Sequence, residues 1–206
     1  MTPPSSFRPH PWHGIDPGPQ FPEVLTGYIE IVPTDGVKYE IDKQTGYLKV
    51  DRPQRFSNFC PSLYGFVPKT YCHTHVAAVT VPGGPPVVTG DRDPLDLCVF
   101  TDRPISRGEI LLQARPIGGL RMVENGEADD KILAVLVGDP TYGGFSDVAE
   151  LPRAIVDRMR HYFLTYKRIP GDAGGSVITV DPVYGPELAH EVLRAARRDY
   201  DAAFGS

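Results

Sequence analysis

Apolar and polar positions alternate with period two along most of residues 24–137, then fall at helical spacing after 147. That order predicts strands first and helices last. Residues 28–32 read as a first strand. Residues 38–42 and 47–52 alternate cleanly on either side of Lys43-Gln44-Thr45-Gly46, a turn with Gly where a positive φ is needed, so 38–52 reads as a β-hairpin. Alternation puts Lys38, Glu40 and Asp42 on one face of it and Tyr39 and Ile41 on the other. Residues 53–68 are an aromatic segment with several turn formers. Residues 95–100, 109–117 and 131–137 read as three more strands, and 176–180 as a short one. The apolar run 76–81 stops at Pro82-Gly83-Gly84-Pro85-Pro86, so 69–89 reads as a β-excursion from the body, an insertion outside any active site.

Two segments carry helical spacing. Residues 147–166 have apolar residues at 148, 151, 155, 159, 162, 163 and 166, with Asp147 and Glu150 spaced as a capping box. Residues 186–204 begin with Pro186 and show an apolar face of Leu188, Val192, Ala196 and Tyr200. Strands followed by helices indicate an α+β fold, most simply a closed or partly closed small barrel with helices against it. Residues 1–22 are Pro-rich and read as an extended arm whose Trp12, His10 and His13 pack on a neighbour.

Composition narrows the class. A chain of 206 residues suits one domain with embellishments, here 1–206 throughout. Its 41% hydrophobic and 23% charged residues are those of a globular protein, and a net charge of −5 argues against nucleic acid as partner. No apolar run approaches the roughly 20 residues that span a bilayer. The three cysteines, Cys60, Cys72 and Cys98, have no paired spacing, and no signal peptide stands at the N-terminus, so a cytoplasmic location is expected. Cys72, His73 and His75 lack the second ligand pair of a zinc site.

The candidate chemistry lies in Asp91-Arg92-Asp93-Pro94-Leu95-Asp96. An Asp-x-Asp alone reads as a solvated turn. A third Asp and a chain-turning Pro point instead to a metal site, because carboxylates this close repel unless a positive charge sits among them. All-oxygen ligands favour magnesium or calcium over zinc. A second acidic turn spans 122–131. Glu30, Asp91, Asp93, Asp96, Glu124 and Asp129 form an acidic set. Lys38, Arg52, Lys131 and Lys167, with Tyr64 and Tyr166, form an anion-binding set. Acids for metals together with cations for oxyanions are what phosphoryl transfer needs.

The same residues carry a family resemblance. Asp91-Arg92-Asp93-Pro94-Leu95-Asp96 before an apolar strand resembles the signature of family I soluble inorganic pyrophosphatases. Ile29-Glu30-Ile31, Lys38-Tyr39-Glu40-Ile41-Asp42, Val50-Asp51-Arg52, Tyr64-Gly65, the 126–131 acidic loop, His161-Tyr162-Phe163 and Tyr166-Lys167 follow in the family's order. The resemblance implies an OB-like five-stranded barrel with flanking C-terminal helices. It implies hydrolysis of pyrophosphate to two phosphates by a metal-activated water, with several magnesium ions per site. It places Asp91, Asp96 and Asp129 as magnesium ligands, with Glu124 and Glu30 at further ligand positions. Asp93 stands at the general base. Lys38, Arg52, Tyr64, Tyr166 and Lys167 stand where substrate is gripped, and Glu40 and Lys131 support the ligands from behind. Expected partners are pyrophosphate and further copies of the chain, without nucleic acid or membrane. The chain departs from the family pattern at Glu124, where Asp is usual, at Cys60-Pro61-Ser62-Leu63, where Tyr-Pro-x-Asn is usual, and in the longer 69–89 segment.

Three rivals stand beside this reading. A haloacid-dehalogenase-type phosphatase also opens on Asp-x-Asp, acting on another phosphate ester, but needs alternating βαβ units. A calcium loop needs Gly at its sixth position, where Asp96 stands. An inactive barrel reused for binding phosphate or nucleotides is the third.

Overall fold

The computed structural model describes residues 8–168 and 176–205. Its strands are β1 (Leu25–Ile31), β2 (Val37–Ile41), β3 (Leu48–Pro53), β4 (Leu63–Phe66), β5 (Asp96–Phe100), β6 (Ile110–Glu124), β7 (Glu127–Ala128), β8 (Lys131–Leu136) and β9 (Ile178–Tyr184). The helices are α1 (Thr74–Ala78), α2 (Arg153–Thr165) and α3 (Pro186–Phe204). Neighbours run β1-β4-β5-β8-β6, and β6 pairs back onto β1, so five strands close a ring. This is the expected OB-like barrel, and α2 and α3 flank it. β6 is the long strand that also carries β7 and β9.

β5 and β8 pair in parallel and are apolar at successive positions, as strands covered on both faces must be. Period-two alternation divides their side chains between two cores. Leu97, Val99, Ile132 and Ala134 pack with Ala189, Val192, Leu193 and Ala196 of α3. Cys98, Phe100, Leu133 and Val135 pack with Met159, Tyr162, Phe163 and Tyr166 of α2. Burying the apolar face of each helix against its own face of these strands locates both helices.

The hairpin formed as read, with Gly46 at φ +72°, and its two strands make a sheet of their own. Its pairing slips between Lys38 and Tyr39: Lys38 faces Arg52, Tyr39 faces Val50, and Asp51 is the extra residue. Two cations facing each other would repel. The bulge places Asp51 against both, 2.9 Å from Lys38 Nζ and in contact with the Arg52 guanidinium.

Several boundaries differ from the sequence reading. The 69–89 segment is not a β-excursion. Residues 74–78 form a short helix, favoured over a strand by the side chain of Asp199, a buried acid on α3. Its carboxylate accepts backbone N–H groups from His73, His75 and Val76 at 2.9–3.0 Å, donors that a helix start leaves unpaired. Residues 1–7 of the arm lie outside the described residues, and its described part is a series of turns over residues 11–24 rather than an extended chain. Trp12, 4% exposed, packs on Phe204 and Tyr200 and donates from Nε1 to Thr70 O at 2.7 Å. The Asp147–Glu150 capping box is present but closes a single 3₁₀ turn, Val148–Glu150, and α2 starts afresh after Pro152. β6 continues to Glu124 past the Gly118-Gly119 pair, and β9 runs on to Tyr184.

Candidate active site

A cleft of about 300 Å³ opens between the hairpin and the ring. Glu30 of β1, Lys38 and Glu40 of β2, and Tyr64 of β4 line it. So do Asp91, Asp93 and Asp96, then Glu124, Asp129 and Lys131, and finally Tyr166 and Lys167 at the end of α2. Of the acidic and anion-binding candidates and their supports, Arg52 alone does not line the cleft. Its guanidinium lies over the Tyr166 ring, 5.6 Å from the centroid, and it joins the site through that ring and Asp51.

The two acidic turns meet because their backbones bridge. Gly90 pairs with Ala128, Asp91 N–H donates to Ala128 O, and Ala128 N–H donates to Thr89 O. Asp91 and Asp93 do not stand on a strand, where alternation would give them a common face. They lie on a turn in which Arg92 has φ +66°, and the Asp93 N–H donates to Asp91 Oδ1 at 3.1 Å. The turn sends the two carboxylates apart. Asp91 faces Asp129, and Asp93 pairs with Lys43 at the hairpin tip.

Asp96 opens β5 directly beside Lys131 in β8. Alternation along 129–131 turns Asp129 and Lys131 to the cleft and Asp130 to the core, where it pairs with buried Arg121 at 3.0 Å and accepts from Tyr184. The Lys131 ammonium, fully enclosed, contacts both Asp96 and Asp129, and Tyr64 Oη donates to Asp96 at 2.6 Å. Burial alone would drive the proton from Lys131, but Asp129 and Asp96 outweigh it and hold its pKa well above the usual value. Burial, then repulsion from Asp129, pushes the Asp91 carboxyl up to about 9. Burial raises Asp129 to about 6 and Glu30 to about 8, although Glu30 accepts the Ile41 N–H at 2.7 Å.

The remaining cations are matched to acids. Lys38 lies 2.9 Å from Asp51 and 3.2 Å from Glu40, and Lys167 contacts Glu124. Burial opposes ionisation of Glu124, but the Lys167 and Ser176 hydrogen bonds prevail and its pKa is lowered.

The donor set fits a hard divalent cation. Asp91, Asp96 and Asp129 offer only oxygen, no His or Cys among the described residues lines the cleft, and the raised acids mark negative charge that one lysine does not fully offset. Among the described residues no three acids converge on one point, since Lys131 lies between two of them.

Five contributors escaped the sequence reading. Lys43, Asn125 and Glu127 line the cleft from the hairpin turn and the second acidic turn. Thr70 and Cys72, taken as part of an insertion outside the site, clamp the aspartate turn from below. Cys72 N–H donates to Asp93 O, Arg92 N–H donates to Cys72 O, and Thr70 Oγ1 accepts Leu95 N–H at 2.9 Å. A Cβ on Gly90 would meet Cys72 C and O at 2.5 Å, so the close approach requires glycine. Thr70→Val strands a buried N–H. It is expected to cost about 1–3 kcal/mol in denaturant unfolding and to weaken cation binding in calorimetry, with Thr70→Ser sparing both.

Comparison with known proteins agrees with this geometry. The family model described as inorganic pyrophosphatase matches residues 27–201. The inorganic pyrophosphatase of Chlamydia muridarum is 50% identical over 195 residues, 93% of each chain. Soluble inorganic pyrophosphatase 1 of Arabidopsis thaliana is 39% identical, covering 79% of this chain and 68% of that one. The crystal structure of the Thermus thermophilus inorganic pyrophosphatase superposes with a TM-score of 0.78 at 27% identity, covering 93% of this chain and 99% of that one. Enzymes of this family need a divalent metal. With a family model spanning most of its length, the chain belongs to the inorganic pyrophosphatase family.

Proposed function

We propose that this chain hydrolyses inorganic pyrophosphate to two phosphates with several magnesium ions. The observation that carries the reading is one cleft in which a carboxylate cluster meets lysines from three separate elements. Asp91, Asp96 and Asp129 would hold magnesium, with Glu30 at a further ligand position and Glu124 joining when substrate is present. When bound, the metal neutralises pyrophosphate oxygens and acidifies water. Lys38, Lys167, Tyr166 and Arg52 grip the phosphoryl oxygens. The grip is ready because each of these cations already faces the cleft or stacks on Tyr166. Lys131 and Tyr64 hold Asp96 in position, and Glu40 steadies Lys38. Asp93, half-exposed, takes the proton of the attacking water on a carboxylate oxygen while the P–O–P bridge breaks.

No helix among the described residues is long and apolar enough to cross a membrane. We place the protein in the cytoplasm as a homo-oligomer that acts without nucleic acid.

A substrate panel tests the reading. Phosphate release from pyrophosphate with magnesium is expected to exceed release from sugar phosphates and nucleotides by at least about 100-fold, the worth of a site built for its substrate. Turnover of a monoester with pyrophosphate untouched would favour a phosphatase of another class. The dehalogenase-type rival already lacks its fold, since β5–β8 is the sole parallel strand pair among the described residues.

A further inference from the structure

Lys43 holds none of the roles assigned above, yet its side chain enters the cleft and contacts Asp93, fifty residues away in the chain. The other lining lysines are held by two acids or are partly buried: Lys38 by Asp51 and Glu40, Lys131 by Asp96 and Asp129, Lys167 by Glu124. The pairing of Lys43 is of another kind. Its side chain is 53% exposed and that of Asp93 47%, so water screens the pair and either partner is free to exchange.

The backbone beneath Lys43 is braced. Asp42 Oδ1 accepts from Thr45 N at 2.9 Å and from Thr45 Oγ1 at 2.8 Å, and Gly46 N–H donates to Asp42 O at 2.7 Å. Gly46, in the left-handed region, lies so close to the arm that a Cβ there would stand 2.6 Å from Pro11 Cδ. A fixed tip therefore carries a long, free cation. That cation sits on Oδ1 of the carboxylate that a reacting water must reach.

We propose that Lys43 is a substrate-gripping residue that rests on Asp93 in the ligand-free protein and moves to a phosphoryl oxygen of pyrophosphate, so that substrate itself uncovers the base. The inference rests on the pyrophosphate reading and on Asp93 as base, and deepens both. A pyrophosphate anion carries several negative charges where a carboxylate carries one, and it competes for an ammonium whose ion pair among the described residues is with Asp93. The tip is thereby a device that keeps the base covered until the anion to be cleaved is present.

Amine acetylation of the full-length protein, read by mass spectrometry, tests the transfer without turnover. With magnesium alone, Lys43 is expected to be labelled as an exposed lysine. Adding imidodiphosphate, whose P–N–P bridge resists hydrolysis, should lower its labelling about fivefold or more, as a grip on the anion requires. In steady state, Lys43→Ala should raise KM for pyrophosphate about tenfold with kcat within about threefold, and Lys43→Arg should restore KM, the pattern of a residue that binds substrate and transition state alike. Unchanged or increased labelling while calorimetry shows the analogue bound overturns the transfer and leaves the pyrophosphate reading standing. No binding of the analogue overturns both. A fall in kcat with KM unchanged assigns Lys43 to Asp93 alone and refutes the grip.

Discussion

Asp93→Asn lowers kcat for pyrophosphate by roughly 10²-fold or more, the usual worth of a positioned base, and leaves the fold intact. The contrast follows from where Asp93 stands. Its side chain is half-exposed and its ion pair to Lys43 is screened by water, so stability changes by less than about 1 kcal/mol. Its backbone keeps the turn in place. Cys72 N–H still donates to the residue's carbonyl, and its own N–H still donates to Asp91 Oδ1. Asn keeps shape and hydrogen bonding but has no affinity for a proton. Steady-state kinetics beside thermal unfolding checks both halves. Turnover within a few-fold of the parent would move the base to another group. A large loss of stability would mean that the turn depends on the Asp93 charge.

Lys131→Met gives the largest expected loss of stability, about 3–5 kcal/mol in metal-free buffer. Lys131 is 1% exposed, and its ammonium contacts Asp96 and Asp129, with Asp91 close behind. Removing it leaves enclosed carboxylates with no positive partner, whereas methionine fills the volume, so the loss reports charge rather than packing. pH gives the sign. Asp91, Asp129 and Glu30 have folded pKa values raised to about 9, 6 and 8, so the folded state binds more protons than the unfolded chain. Their contribution is fully present below the unfolded carboxyl values near 4 and is lost as pH rises through 6 to 9. The metal-free parent is therefore expected to lose stability over that window, and Lys131→Met more steeply. Magnesium should flatten both curves and restore the variant by more than it stabilises the parent, since a bound cation takes over the missing charge. Denaturant titrations at pH 5 and 8, with and without magnesium, read this out. A variant as stable as the parent at pH 8 without metal would show that Lys131 does not neutralise the cluster.

What the sequence disclosed is what local rules govern. The hairpin at 38–52, the helix at Pro186–Phe204 and the acidic turn near Gly126 depend on neighbours in the chain, and each formed where read. The helix at Thr74–Ala78 did not, because its cap comes from Asp199, more than 120 residues away, while its own Val and Thr residues suggest a strand. Pairing between the two acidic turns rests on the Gly90–Ala128 bridge, to which no periodicity points. Lys43 looked like an ordinary turn residue. Its meaning lies in how the bulged hairpin leans on the ring and in how Pro11 abuts Gly46. Thr70 and Cys72 act through backbone and hydroxyl groups, for which composition carries no signal. Asp91 and Asp93 both line the cleft, but a positive φ at Arg92 sets them on a turn whose directions no periodicity gives.

The most direct measurement is phosphate release from pyrophosphate by the purified, folded protein across a magnesium titration that starts from a chelated sample. The expected result is two phosphates per pyrophosphate consumed, no turnover in chelator, and recovery with magnesium that Asp91→Asn or Asp96→Asn shifts to higher metal concentration by about tenfold or more, the effect of removing one charged ligand. Turnover that persists in chelator, or a magnesium dependence unchanged in both variants, would contradict it.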